Sequence, residues 1–109
     1  MDSILADRLK KIRTQIDVLE DAERIYLELE VLEKAKYGFL FTQQEGGSVE
    51  EKKQRVINNW AYQETQKERI TAEVRYNKEK RILDLFNNAY LAEHLSFKIN
   101  AQAIKKGVE

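Results

Sequence analysis

The chain has 109 residues, of which 42% are hydrophobic and 35% are charged, and it contains no Pro, no Cys and one His. Such a charged fraction without Pro is typical of long helices and coiled coils rather than of a compact α/β enzyme. Without Cys there can be no disulfide, cysteine zinc site or thiol nucleophile, and one His cannot build a poly-histidine metal site. We therefore predict an all-α protein that is not an enzyme and has no catalytic residues, metal site or cofactor.

The N-terminus also argues against export. Its sequence MDSILADRLKK carries acidic residues and a helical apolar spacing, which does not fit a signal peptide. No apolar run approaches the length of a membrane span. The 19 basic and 19 acidic side chains cancel, so no net charge favours an anionic membrane or nucleic acid. We expect a cytoplasmic protein without a membrane partner.

A first long helix is predicted over residues 3–44. Its apolar residues recur at intervals of three and four, which places them on one face of a helix. They are Leu5, Leu9, Ile12, Ile16 and Leu19, followed in a shifted phase by Ala22, Ile25, Leu29, Leu32 and Phe39.

The chain is predicted to turn at residues 45–48. Gly46 and Gly47 can adopt the positive φ angles that end a helix and reverse the chain. Ser48, followed three residues later by Glu51, has the spacing of a capping box. This pair predicts the start of a short helix over residues 49–57.

A second long helix is predicted over residues 59–99, with a frayed tail over residues 101–109. Asn58 and Asn59 are good helix-capping residues, so the second arm is either continuous or broken at this point. At the tip, we expect Trp60 to be the anchor that packs against Phe39, Phe41 and Val56.

Together these elements predict a long, coiled-coil-like antiparallel hairpin with a short helix at its tip. Residues 82–99 are apolar over much more than the stripe of about 100° that one neighbouring helix covers. A second copy would cover the rest, giving a homodimer or higher homo-oligomer with a four-helix arrangement. The residues predicted to mediate self-association are Ile82, Leu85, Phe86, Ala89, Tyr90, Leu91 and Leu95.

A basic face on the second long helix offers an alternative role. Lys67, Lys78 and Arg81 project within about 60° of one another on a regular helix, so they could contact nucleic-acid phosphates. However, acidic residues are interleaved with them, and the first arm carries ten acidic against seven basic residues up to residue 45. Ion pairing between the arms explains the same charges, and we favour it.

Part of the chain resembles a known group of proteins. The stretches GGSVEEKKQRV, NNWAYQ and KEKRILDLFNNAYL resemble small helical coiled-coil proteins of tailed bacteriophages, which are encoded in early or recombination gene clusters. The resemblance covers roughly residues 40–95, and its capping box and amphipathic helix recur in many other chains. It implies the cytoplasm of an infected bacterium and an accessory role, and it supplies no catalytic or binding residues.

The sequence therefore predicts a non-catalytic phage accessory or adaptor protein that acts by protein–protein interaction, with replication or recombination machinery as its setting. Two alternatives stay open. One is a nucleic-acid-binding accessory protein that uses the basic face, and the other is a structural coiled-coil spacer.

Overall fold

The computed structural model describes residues 2–108 of the chain, with side chains described for residues 3–103. These residues form three helices: α1 (Asp2–Thr42), α2 (Val49–Ile57) and α3 (Trp60–Val108). The described chain is helical throughout apart from its turns, which confirms the predicted all-α fold class. Within that part of the chain, neither long helix contains a stretch with the length and hydropathy of a membrane span.

The chain divides into two compact units. Asp21–Asn77 form one, which we call the turn unit, and Met1–Glu20 with Lys78–Glu109 form the other, which we call the terminal unit. Because α1 and α3 each contribute to both units, every unit contains a pair of long-helix segments. α2 lies within the turn unit.

The turn between α1 and α2 is built by two glycines. Gly46 and Gly47 have φ angles of 73° and 90°, a left-handed conformation that costs other residues energy. Arg55 ties the turn to α2, because its Nη1 donates hydrogen bonds to the carbonyl oxygens of Glu45 and Gly46 at 3.3 and 3.0 Å. A side chain at residue 47 would also meet the Arg55 Nη2 atom at 2.8 Å. The φ angle therefore favours glycine there, whereas the two closest atoms that a Cβ would meet are the ends of the flexible Arg55 and Glu51 side chains.

Ser48 is the N-cap of α2. Its side-chain oxygen accepts a hydrogen bond from the backbone N–H of Glu51 at 3.2 Å, which pairs one of the N–H groups that a helix start leaves open. The Glu51 carboxylate lies 3.8 Å from Arg55. Of the predicted capping box, the cap therefore consists of the hydrogen bond that the Ser48 side chain accepts. Glu51 contributes its backbone N–H to this bond.

The second arm is broken near Asn58 and Asn59. Asn58 is the C-cap of α2, and the side-chain oxygen of Asn59 accepts a hydrogen bond from the N–H of Tyr62 at 3.2 Å, at the start of α3. α3 then continues to Val108, whereas the sequence predicted a frayed tail over residues 101–109. Glu109 lies outside the described residues.

In the turn unit, α1 and α3 pack antiparallel around a narrow core. Ala22 and Ala72 are buried between the helices, Val56 of α2 is fully buried, and Tyr62 and Thr65 of α3 are buried beside it. Small residues at the seam let the two helix backbones approach closely. This core is formed by the chain itself.

Trp60 is not part of that core, so the prediction that it anchors the tip is wrong. Its side chain is 73% exposed, and that of Phe39 is exposed as well. Asn59 caps the start of α3, and the helix is rotated about its axis so that Tyr62, two residues beyond Trp60, points toward α1. Because residues two apart point about 160° from each other on a helix, Trp60 then faces away from the seam.

In the terminal unit the two helices also run antiparallel, but polar side chains hold the pairing. The Gln15 amide donates hydrogen bonds to the backbone carbonyl of Glu79 at 3.0 Å and to its carboxylate. Arg8 forms an ion pair with Glu93 at 3.2 Å. The numbers of the paired residues Gln15 and Glu79 sum to 94, whereas those of Arg8 and Glu93 sum to 101.

Candidate interaction surfaces

Apolar side chains of the terminal unit lie at its surface. Among the side chains described in this unit, at residues 3–20 and 78–103, only that of Gln15 is buried, and no apolar one is. The most apolar segment of the sequence, residues 82–99, lies in this unit. Its large apolar side chains Leu85, Leu91, Leu95 and Ile99 are each more than half exposed.

The predicted self-association residues fall into two groups. Four are half-buried within the unit, and Phe86 among them lines a small groove with Lys10, Lys11, Thr14 and Gln15 of α1. Three are exposed. The half-buried ones are Ile82, Phe86, Ala89 and Tyr90, and the exposed ones are Leu85, Leu91 and Leu95.

The exposed residues do not all share one side of α3. Leu91 and Leu95, each 59% exposed, are four residues apart and continue to the exposed Ile99, so they form one stripe along the helix. Leu85 is 66% exposed, but six residues before Leu91 it points about 120° away. The free apolar surface therefore comprises the stripe Leu91, Leu95 and Ile99, with Leu85 about 40° beyond Ile99 around the helix.

His94, the only histidine, is part of this unit's packing. Its ring stacks on Tyr90, with ring centroids 6.0 Å apart and planes 11° from parallel. The two residues are one helical turn apart, which is the spacing at which side chains on a helix meet. In the part of the chain that the structure describes, no group of three or more His, Cys, Asp or Glu side chains is placed to hold a metal ion.

The basic residues of the turn unit are largely engaged with carboxylates. Lys67 lies 3.4 Å from Glu64 on its own helix. Arg75 reaches Asp21 of α1 at 3.5 Å. Asp21 also accepts a hydrogen bond from Arg24, and this bond lowers the pKa of the Asp21 carboxyl below its ordinary value.

Arg69 is the centre of the strongest network. Its Nε donates to Glu33 of α1 at 2.6 Å, and its Nη1 donates to Glu73 at 2.7 Å. Hydrogen bonding to Glu33 raises the pKa of Arg69. The Tyr62 hydroxyl donates to the same Glu33 carboxylate at 3.4 Å. Neither Arg69 nor Glu33 is recognisable as part of a site from the sequence, since a charged side chain on a helix gives no signal that it faces a neighbour.

Lys78 and Arg81, the other predicted phosphate contacts, lie in the terminal unit. Both are exposed on α3, three residues apart and therefore neighbours on one face. Lys67 belongs to the turn unit. Glu79 between them is turned toward Gln15 of α1.

One side of the turn unit carries a groove of about 480 Å³ lined mainly by tyrosines and charged residues. Its lining residues are Tyr26, Glu30, Glu33, Lys34, Tyr37, Tyr62 and Arg69. Their polar groups are already engaged with one another, because Lys34 lies 3.7 Å from Glu30 and Arg69 holds Glu33. Partial burial, together with Glu33, raises the pKa of Tyr62. This groove is a network that fixes the pairing of α1 and α3.

The other side of the turn unit carries a more apolar groove of about 420 Å³, which we call the lateral groove. Its lining residues are Ile25, Leu29, Glu64, Lys67, Glu68, Thr71, Ala72 and Arg75. Leu32 lies seven residues after Ile25 and Phe39 a further seven, so both continue the α1 side of this surface. Both are exposed large apolar side chains.

Comparison with known proteins does not place this chain in a family: it matches no protein-family model, and no curated protein or solved structure is significantly similar to it.

Proposed function

We propose that the protein is a non-catalytic adaptor that acts by protein–protein interaction and self-associates through its terminal unit in a four-helix arrangement. One observation carries this proposal. The segment with the most apolar residues, 82–99, has no buried apolar side chain among those described, although burial is what apolar residues ordinarily gain by folding. A second copy of the segment would supply the missing cover.

The stripe Leu91, Leu95 and Ile99 is the proposed contact. Its residues are more than half exposed and are spaced as one face of α3, so a second helix can pack along it. Phe86 and Tyr90 are half-buried and would gain further cover at its margin. Arg8, whose Nε atom is buried without a hydrogen-bond partner, lies in the same unit.

The accessory role in an infected bacterium rests on the resemblance of residues 40–95 to phage helical proteins. In that setting the protein is cytoplasmic and its partner is a protein of the replication or recombination machinery. A structural spacer would need self-association alone. The adaptor reading is favoured because exposed apolar side chains such as Val31 and Val74 also lie on the turn unit.

Nucleic-acid binding is the weaker candidate. Of the basic face, Lys67 is paired with Glu64 of its own helix, whereas Lys78 and Arg81 are exposed. Two other basic residues of α3, Arg69 and Arg75, are paired with α1, so ion pairing between the arms accounts for part of the basic charge of α3. Contacts to phosphates would give an affinity that falls steeply with salt. We expect no binding to DNA tighter than about micromolar at physiological salt, and nanomolar affinity with a steep salt dependence would contradict the adaptor proposal.

The self-association is tested with the double variant Leu91→Glu/Leu95→Glu. Both side chains are exposed in the single chain, so glutamate leaves intrachain packing intact but places charge in the proposed interface. Light scattering after size exclusion should show a dimer or larger species for the parent and a smaller species for the variant.

The matched control is Ser96→Glu/Asn100→Glu, which adds the same charge at the same spacing on exposed positions of another side of α3. It should keep the parent's mass. The proposal is refuted if the parent chain is monomeric at about 10 μM or above. This concentration is well above the nanomolar dissociation constants of stable complexes.

A further inference from the structure

We propose that the lateral groove of the turn unit is a second self-association surface, which binds the lateral groove of another copy in antiparallel orientation. This goes beyond the proposed function, which places self-association in the terminal unit. Three features of residues 21–77 support it.

The first feature is a repeat of seven on α1. Ile25, Leu32 and Phe39 are spaced seven apart, and Leu29 stands between the first two, which gives the alternating three and four spacing of a coiled-coil seam. α3 covers a neighbouring line of α1 instead, through Ala22, Tyr26 and Glu33. The repeat is thus left at the surface, with Leu32 49% and Phe39 60% exposed.

The second feature is the shape of the surface. Ile25 and Leu29 of α1 and Ala72 and Thr71 of α3 line an apolar groove between the helices. A groove of this kind fits a helix laid along it, with side chains at helical spacing entering the depression. A helix of another copy carries such side chains.

The third feature, which selects a second copy over a foreign helix, is the charge of the rim. Along α3 it carries two acids and two bases, Glu64, Lys67, Glu68 and Arg75. A two-fold axis that crosses α3 between residues 69 and 70 places Glu64 of each copy opposite Arg75 of the other copy. The interface then contains this pair twice. The same axis places Lys67 opposite Ala72 and Glu68 opposite Thr71, so the complementary contacts of this isologous interface are the two Glu64–Arg75 pairs.

The same axis places Thr71 of the two copies near each other. The two side chains would be offset by three residues along antiparallel helices, roughly 4.5 Å at 1.5 Å per residue. Because the chain has no Cys, Thr71→Cys introduces a single sulfur that reports on this face alone. Asn77→Cys is the matched control, since Asn77 is also exposed on α3 in the turn unit but points about 120° away from Thr71.

The experiment is mild oxidation of each single-cysteine chain at about 10 μM, with the disulfide-linked dimer measured on a non-reducing gel. We expect Thr71→Cys to link at least about fivefold more than Asn77→Cys, since only close, aligned cysteines form a disulfide. Equal linking from both positions, or none from residue 71, overturns the proposal.

Charge reversal then tests the antiparallel register in the Thr71→Cys chain. Glu64→Arg and Arg75→Glu should each lower the linked fraction about fivefold, because like charges then face each other, and the two together should restore it to within about twofold. Asp21→Asn, which removes the intrachain carboxylate that pairs with Arg75 and with Arg24, should leave linking unchanged. The register is overturned if the single reversals leave the linked fraction unchanged. It is also overturned if the double reversal does not restore the linked fraction.

This readout separates the two proposals. Linking through residue 71 does not require the Leu91 and Leu95 stripe, so it should persist in the Leu91→Glu/Leu95→Glu chain. Loss of linking with retained light-scattering mass refutes the lateral groove alone. A parent that links through residue 71 but keeps its mass in the Leu91→Glu/Leu95→Glu variant refutes only the terminal unit's role.

Discussion

The turn unit and the terminal unit use the same two helices in different ways. In the turn unit the chain buries its own core at Ala22, Val56, Tyr62 and Ala72. In the terminal unit the described side chains include no buried apolar residue, although this unit holds the most apolar segment. Apolar content therefore does not indicate where a single chain buries its core. In our proposal, another copy covers the apolar segment of the terminal unit.

The two units also differ in how their helices are aligned. The turn unit uses charged and aromatic pairs, with Arg69 on Glu33 and Tyr26 stacked on Tyr76 at 5.6 Å. The terminal unit uses the buried amide of Gln15. A polar group at a seam costs stability but specifies register, because any slip leaves it without a partner.

Arg69→Leu is expected to cause the largest loss of stability, and to cause it in the turn unit. It leaves the Glu33 carboxylate, only 12% exposed, without its cation, and we expect a loss of about 2–3 kcal/mol in the free energy of unfolding, less than for a fully buried pair. Amide hydrogen exchange should show lost protection in residues 21–77. The matched control is Arg24→Leu, which breaks exposed pairs with Asp21 and Glu28 and should cost clearly less stability than Arg69→Leu, because solvent screens exposed pairs. Equal effects would show that the Arg69 network is not a main determinant of the turn unit.

Phe86→Ala is expected to cause a somewhat smaller loss of stability, located in the terminal unit. The ring is half-buried in the terminal unit, so its removal should cost about 1.5–2.5 kcal/mol, roughly half the value for a fully buried Phe. Exchange protection should fall in residues 78–103 and remain in the turn unit. Alanine is the better substitution here because a glutamate would find Lys10 and Lys11 beside it. If protection in residues 21–77 fell equally, the two units would not be energetically distinct.

Ser48→Ala should cost about 1 kcal/mol, the usual value for a lost N-cap. The Ser48 hydroxyl pairs the N–H of Glu51 at the start of α2, so the loss belongs to the turn unit. Ser48→Asp, which keeps an accepting oxygen, should restore the melting midpoint. A midpoint that is unchanged in the alanine variant would show that the cap contributes no stability.

The smallest effect is expected from Asp21→Asn, and it depends on pH. Because the hydrogen bond from Arg24 lowers the pKa of Asp21 below its ordinary value of 3.8, the carboxylate stabilises the folded state above that value, and this contribution is lost as the pH falls through the lowered pKa. Denaturant midpoints of parent and variant should therefore differ near neutral pH and converge in strong acid. Since Asp21 is exposed, the difference should shrink with added salt. A difference that grows in acid would contradict this assignment.

Local features of the molecule could be read from the sequence. Gly46 and Gly47 end the turn, and Ser48 caps α2, because backbone conformation and capping depend on a few adjacent residues. Asn58 and Asn59 could be recognised as capping residues, but whether the second arm is broken there was decided by the structure, in which the Asn59 side-chain oxygen accepts a hydrogen bond from the N–H of Tyr62. The all-α class followed from composition and spacing.

The pairing of side chains between helices could not be read in this way. A 3.6-residue period shows that α3 has an apolar face but not how far it is rotated, and a shift of two residues separates exposed Trp60 from buried Tyr62. The division of the predicted self-association residues into half-buried Phe86 and exposed Leu91 has the same origin. So does the choice of Glu33 as the partner of Arg69, since every carboxylate on α1 offers the same charge. The sequence by itself determined the helices, the glycine turn and the Ser48 cap, through contacts within one turn, but not the end of α3, which continues to Val108. Only the tertiary structure decided rotation and register, because these depend on packing between residues far apart in the chain.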